Sequence, residues 1–128
     1  MQDMSIEYKY FSQRELTCKC GCGRQEMSPE FMYKIEAIRE KLGFPFPVTS
    51  AYRCPEHNQK VSSSGPHGPH TTGRAIDISV RGDRAHALLG AAMEAGFSGI
   101  GVSQKGSARF IHLDDLTDSH PRPTVWSY

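Results

Sequence analysis

Between residues 29 and 42 apolar side chains return every three or four positions: Phe31, Ile35, Ile38 and Leu42. That spacing puts them on one face of a helix. Ser28 supplies an N-cap, Pro29 a first helical residue and Gly43 a stop. A second amphipathic stretch, GDRAHALLGAAMEAG, predicts another helix with Asp83 as its cap and Gly96 as its end. In FSQREL, Ser12 and Glu15 stand at capping-box spacing and predict a short helix.

Elsewhere the repeat shortens to two. Ile76, Ile78 and Val80 alternate with Ala75, Asp77 and Ser79, the pattern of a strand with one apolar face and one face free to look into a cleft. Arg109, Ile111 and Leu113 alternate likewise with Phe110, His112 and Asp114. FPVTSAY predicts a strand over 47–52, and SGIGVS pairs with ARFIHLD as a hairpin across Gln104–Ser107. The tail PRPTVWSY is too rich in proline for a central strand. With neither repeat nor linker, residues 1–128 read as one α+β domain, a small mostly antiparallel sheet with helices packed on one face.

Composition narrows the function classes. At 38% hydrophobic and 23% charged the chain is globular rather than disordered. A formal net charge of +1 provides no field that favours nucleic acid or an anionic membrane. No apolar run approaches the length of a membrane span, so no membrane insertion is expected. The N-terminal MQDMSIEYKYFSQRE lacks the apolar core of a secretory signal. The expectation is a protein made in the cytoplasm; if it works outside, either some route other than a cleaved leader delivers it or an upstream segment is missing from this sequence. Cys18, Cys20 and Cys22 form a C-x-C-x-C cluster, with Cys54 further on. A structural zinc site, a disulfide pair and free thiols all stay open. Because the spacing is tighter than the C-x2-C of zinc knuckles, the plain reading is a thiol-rich turn packed near Cys54.

Asp77 comes from one predicted strand, His112 and Asp114 from another, and His70 from the loop entering the first. Two imidazoles and one carboxylate leave a fourth position for water, the usual make-up of a catalytic zinc site. Singly, each has a plainer reading. A strand histidine is commonly a satisfied core residue, and Asp77 could pair with Arg74 or Arg84.

HTTGRAIDI at 70–78 resembles the H-x6-D signature of the M15 family of zinc D,D-peptidases. TSAYRCPEHN at 49–58 is similar to that family's S-x-Y-R segment, and FIHLD at 110–114 to its third-ligand strand. RPTVWSY and FSQRELTCKCGCG resemble the small branch found in phages and prophages. The resemblance implies a Hedgehog/DD-peptidase-like fold with one catalytic Zn2+ held by His70, Asp77 and His112. Gly73 and Ala75 match small positions that let the loop approach the metal. Arg53 matches the arginine that holds the substrate's terminal carboxylate or a neighbouring carbonyl, a task suited to a planar guanidinium fork. His67 does not fit the spacing and reads as a rim residue, His57 as a loop organiser; His86 and His120 have no ligand-like context.

One departure concerns the proton acceptor. Many relatives carry a glutamate three positions before the last histidine ligand, or a histidine two before it; here those positions hold Arg109 and Phe110. Asp114 is then either the general base or an acceptor that orients a ligand imidazole. Trp126 and Tyr128 form a cleft wall or close the core. The implied activity is hydrolysis of D-amino-acid-containing bonds in peptidoglycan stem peptides or cross-links, by a monomer acting at the cell wall in phage-type lysis or as a virion component. The alternative is a non-catalytic zinc-containing binding module on the same scaffold, as in Hedgehog signalling domains.

Overall fold

Among the described residues nine α-helices and β-strands, seen in a computed structural model, follow the predicted order closely. It describes residues 6–128, so the first five residues of the stretch read for a leader lie outside the described residues. Helix α1 spans Gln13–Leu16 and carries the Ser12–Glu15 capping box. Helix α2 spans Pro29–Leu42; the Ser28 side chain accepts from Phe31 N–H, and Gly43 ends it at φ 76°, a left-handed turn that favours glycine. Strand β1 (Val48–Ser50) leads into α3 (Pro55–Val61), two short 3-10 turns and β2 (Ala75–Ile78). Then come α4 (Gly82–Glu94), β3 (Gly99–Ser103), β4 (Phe110–Asp114) and β5 (Thr124–Ser127).

The strands form one sheet in the order β1-β2-β4-β3-β5. All pairings are antiparallel except β3 with β5. The proline-rich tail therefore does join the sheet, at its edge, where a proline-flanked strand is tolerated. Strand β2 stops at Ile78 because Ser79 N–H turns to the Pro47 carbonyl. Helix α4 departs from expectation at its start: Arg81 is the N-cap without a side-chain bond, and Asp83 lies inside the first turn.

Two faces divide the labour. Ile76, Leu113 and Ile100 stand in register across three strands, as do Ile78, Ile111 and Val102. These side chains join Phe31, Met32, Ile35, Ile38, Ala85, Leu88 and Ala92 of α2 and α4 in one core. Leu42 and Val102 pack only at its margin. On the opposite face a second row runs Ser50, Asp77, His112, Gly101, Trp126, one residue from each strand. Leu16 of α1 joins the same core, whereas helix α3 and the 3-10 turns border the polar face, so α3 is the helix that departs from the expectation of helices on one face.

Arg74 ties the layers together. Its Nε and Nη2 lie 2.8 and 2.7 Å from the two Asp115 oxygens, and its Nη1 lies 2.8 Å from Ser28 Oγ at the start of α2. Lys34 adds a 2.8 Å contact to Asp115. Burial raises the Asp115 pKa, but Arg74 and Lys34 outweigh it and hold the carboxyl below its ordinary value. Arg74→Ala is expected to lower the unfolding free energy by about 2 kcal/mol, less than for a fully buried pair because the guanidinium side is partly exposed. Urea unfolding at neutral pH measures this. A depressed pKa stabilises the fold above the unfolded-chain value near ~4, and that contribution disappears as pH falls through the folded value. The gap between wild type and variant should accordingly narrow in acid.

Candidate metal centre

Because β2 and β4 pair in register, Asp77 and His112 face each other directly. His112 Nδ1 lies 2.9 Å from Asp77 Oδ1. His70 rides on the 3-10 turn Pro69–Thr72 that enters β2, with its Nε2 3.2 Å from the same oxygen. All three residues are buried, and their donor atoms lie within 4.8 Å of one another.

The outer partners determine where the imidazole protons sit. His70 Nδ1 is 2.8 Å from the Ala51 carbonyl, which can only accept, so the proton is there and Nε2 presents a lone pair. His112 Nε2 is 2.7 Å from Asp114 Oδ2, which leaves Nδ1 bare toward Asp77. Two nitrogen lone pairs and a carboxylate oxygen thus converge in a buried space. Such a donor set repels itself unless a cation lies between its members. Burial lowers the His112 pKa, yet bonds to Asp114 and Asp77 outweigh it and raise the net value, so a proton serves in the metal's absence. Burial raises the Asp77 pKa, and the two histidines overcome that and hold the carboxyl well below the usual carboxylate range. Neither arginine weighed as its partner reaches Asp77. Arg74 is spent on Asp115 and Glu30, and Arg84 stacks over Phe44. His70, Asp77 and His112 can therefore hold a metal ion, and the donor set fits zinc.

Asp114 is fully buried and fully engaged. Arg122 Nε lies 2.9 Å from Oδ1 and its Nη2 2.8 Å from Oδ2, a bidentate fork, while Oδ2 also accepts from His112. Burial raises the Asp114 pKa; Arg122 and His112 outweigh it and keep the group ionised. Both oxygens being committed, the geometry favours Asp114 as the acceptor that orients His112 over Asp114 as a general base. Arg122 escaped the sequence reading. Its one signal is an arginine between two prolines just before an aromatic strand. A methyl group at Gly99 would stand 2.1 Å from Asp114 Oδ1 and 2.5 Å from Arg122 Nε. Gly99→Ala is expected to cost about 1–3 kcal/mol of stability and to weaken metal binding, read by thermal unfolding and zinc titration.

Around the centre opens a cleft of about 270 Å³. Arg53, Phe110, Trp126 and Tyr128 line it with the three donors. Trp126 lies over the row, its ring centre 5.0 Å from that of His112, in space that Gly101 leaves: a methyl there would meet the indole Nε1 at 2.6 Å. Arg53 donates from Nη1 to Asn58 Oδ1 at 3.0 Å. Buried Asn58 also bonds Ser64 Oγ and the Gly65 carbonyl, so Asn58 rather than His57 organises this loop. His67 is exposed and does not line the cleft. Gly73 owes its size to a different neighbour than the metal: at φ 77° its missing methyl would stand 2.0 Å from the Glu26 carbonyl oxygen.

A family model for peptidase M15 matches residues 9–114, and the chain belongs to that family. All three donors and Arg53 fall inside the matched span; Arg122 and Trp126 lie beyond it. No curated protein matched the chain in a sequence comparison. Among the described residues no helix is long and apolar enough to cross a membrane.

Proposed function

We propose that the protein is a zinc-dependent peptidase that hydrolyses D-amino-acid-containing bonds of peptidoglycan stem peptides or cross-links, as a D,D-carboxypeptidase or endopeptidase. The convergence of His70, Asp77 and His112, with both imidazole tautomers set by outer partners, carries this reading. Zinc held there would supply a water acidified toward ~7 and a Lewis acid for the scissile carbonyl.

The chain's own groups do the rest. Asp77 contributes the negative charge of the donor set, and Ala51 and Asp114 aim the two imidazoles. Asn58 steadies one end of the Arg53 guanidinium, whose remaining N–H groups have no protein partner among the described residues. They suit a substrate carboxylate or the charge that develops on the attacked carbonyl. Trp126 forms an apolar wall that limits water around the bond, and Tyr128 stands at the rim. In this reading the protein works as a monomer at the cell wall, with a peptidoglycan peptide as partner and a role in phage-type wall degradation.

A non-catalytic binding module is favoured by one observation: no carboxylate lining the cleft among the described residues is free to take a proton. Incubation of zinc-loaded protein with purified peptidoglycan, with and without chelator, decides between the two. Mass spectrometry should find chelator-sensitive D-alanine release or cleaved cross-links. Retention on peptidoglycan without any product would establish the module instead.

A further inference from the structure

At Cys54, the residue after Arg53, four sulfurs meet. Cys18 Sγ lies 3.5 Å from Cys20 Sγ and 3.7 Å from Cys54 Sγ, and the Cys20–Cys54 separation is 3.6 Å. Cys22 closes the group, all four Sγ atoms lying within 4.8 Å of one another. A disulfide would bring one pair to about 2.05 Å and leave the others behind. Three nearly equal edges have another meaning. A tetrahedral ion with metal–sulfur bonds of about 2.3 Å sets its sulfurs about 3.8 Å apart.

The backbone is arranged for thiolates. Cys54 N–H points at Cys18 Sγ (3.3 Å), His57 N–H at Cys54 Sγ (3.4 Å) and Arg24 N–H at Cys22 Sγ (3.5 Å). Donors of this kind favour the charged form of sulfur. Gly21 and Gly23, at φ 91° and 79°, supply the left-handed turns that return three sulfurs of a C-x-C-x-C segment to one point. A Cys18 N–H to Arg24 carbonyl bond of 2.9 Å closes the loop.

We propose that Cys18, Cys20, Cys22 and Cys54 form a second metal site, which holds one structural Zn2+ through four thiolates. Four sulfur donors select a soft or borderline ion over magnesium or calcium, and a full set of protein ligands leaves no position for catalysis. Loading exchanges four thiol protons for one dication. The chain then carries two zinc ions, where one catalytic ion was expected. The site fastens the loop after α1 to the residue that follows Arg53. Arg53 N–H in turn bonds the His70 carbonyl at 3.1 Å, so the sulfur site braces the segment that bears both cleft residues. Nothing here depends on the cleft being catalytic.

Elemental analysis of the full chain purified with zinc should find two zinc per molecule. The His70→Ala/His112→Ala variant should keep one, and Cys20→Ser/Cys22→Ser should lose the other. Cobalt loaded into the histidine variant should show thiolate-to-cobalt charge-transfer bands, and all four cysteines of the native protein should resist alkylation until a chelator is added. A histidine variant that binds no metal would overturn the proposal, as would rapid alkylation of all four native thiols or a mass lowered by two hydrogens from a disulfide. Iron in place of zinc would overturn the choice of ion. Should the cysteine variant fail to fold, the histidine variant and the alkylation pattern still decide.

Discussion

His112→Ala is expected to bind one equivalent less zinc than wild type and to lose peptide hydrolysis by about 10³-fold or more. The size follows from the position of His112 at the middle of the constellation. Its Nδ1 is one of only three donors, and its ring links Asp77 to the Asp114–Arg122 pair. Alanine removes a ligand and leaves Asp77 facing His70 alone. Two donors do not make a tight site for zinc, and remaining partners cannot move in because the strands on either side hold them. His67→Ala is the matched control: three residues before His70, exposed, and expected to keep full metal and full turnover. Metal content by elemental analysis, with turnover on peptidoglycan fragments, checks both. Unchanged zinc in His112→Ala would sink the ligand assignment.

Asp114→Asn separates two roles for the same residue. If Asp114 orients His112, zinc affinity falls by about 10–100-fold while turnover at saturating zinc stays within a few-fold of wild type. If Asp114 takes the proton, affinity holds and turnover falls by about 10²-fold or more. The geometry leads us to expect the first pattern. Asparagine also leaves the nearly buried Arg122 guanidinium without its counter-charge, so a stability loss of about 3 kcal/mol should accompany the change. Chemical unfolding of the variant, and kinetics kept well below its transition, separate that loss from catalysis. Arg122→Gln should move zinc affinity in the same direction, since it loosens the same carboxylate.

The sequence disclosed most of what is local. Alternation over 75–78 and 110–114 located both donor-bearing strands and the faces they present, and Ser28, Pro29 and Gly43 marked the ends of α2. Asp83 misled, because a carboxylate near a helix start satisfies the same preference inside the first turn as at the cap. What stayed hidden depends on contacts between distant segments. Arg122 matters through a fork onto a residue eight positions earlier, and Asn58 through a loop it gathers by three side-chain bonds. The cysteines were the sharpest case. Their tight spacing argued against a metal, while the glycine turns and the approach of Cys54 from 36 residues beyond Cys18 argue for one.

The row from Ser50 through Asp77, His112 and Gly101 to Trp126 has a bearing on how the protein can change. Neighbouring strands keep a spacing of about 4.8 Å whatever their side chains, so the distance between Asp77 and His112 is inherited from the sheet's own repeat. A slip of β4 by a single residue would turn His112 and Asp114 under the helices and bring Ile111 and Leu113 to the cleft. Substitutions and insertions in the loops, by contrast, leave that interval alone. Descendants of this chain can therefore exchange the peptides they accept by recutting the loop around Ser62 and Ser64 and by replacing Tyr128 beyond the edge strand, without renegotiating the pitch of the donors beneath.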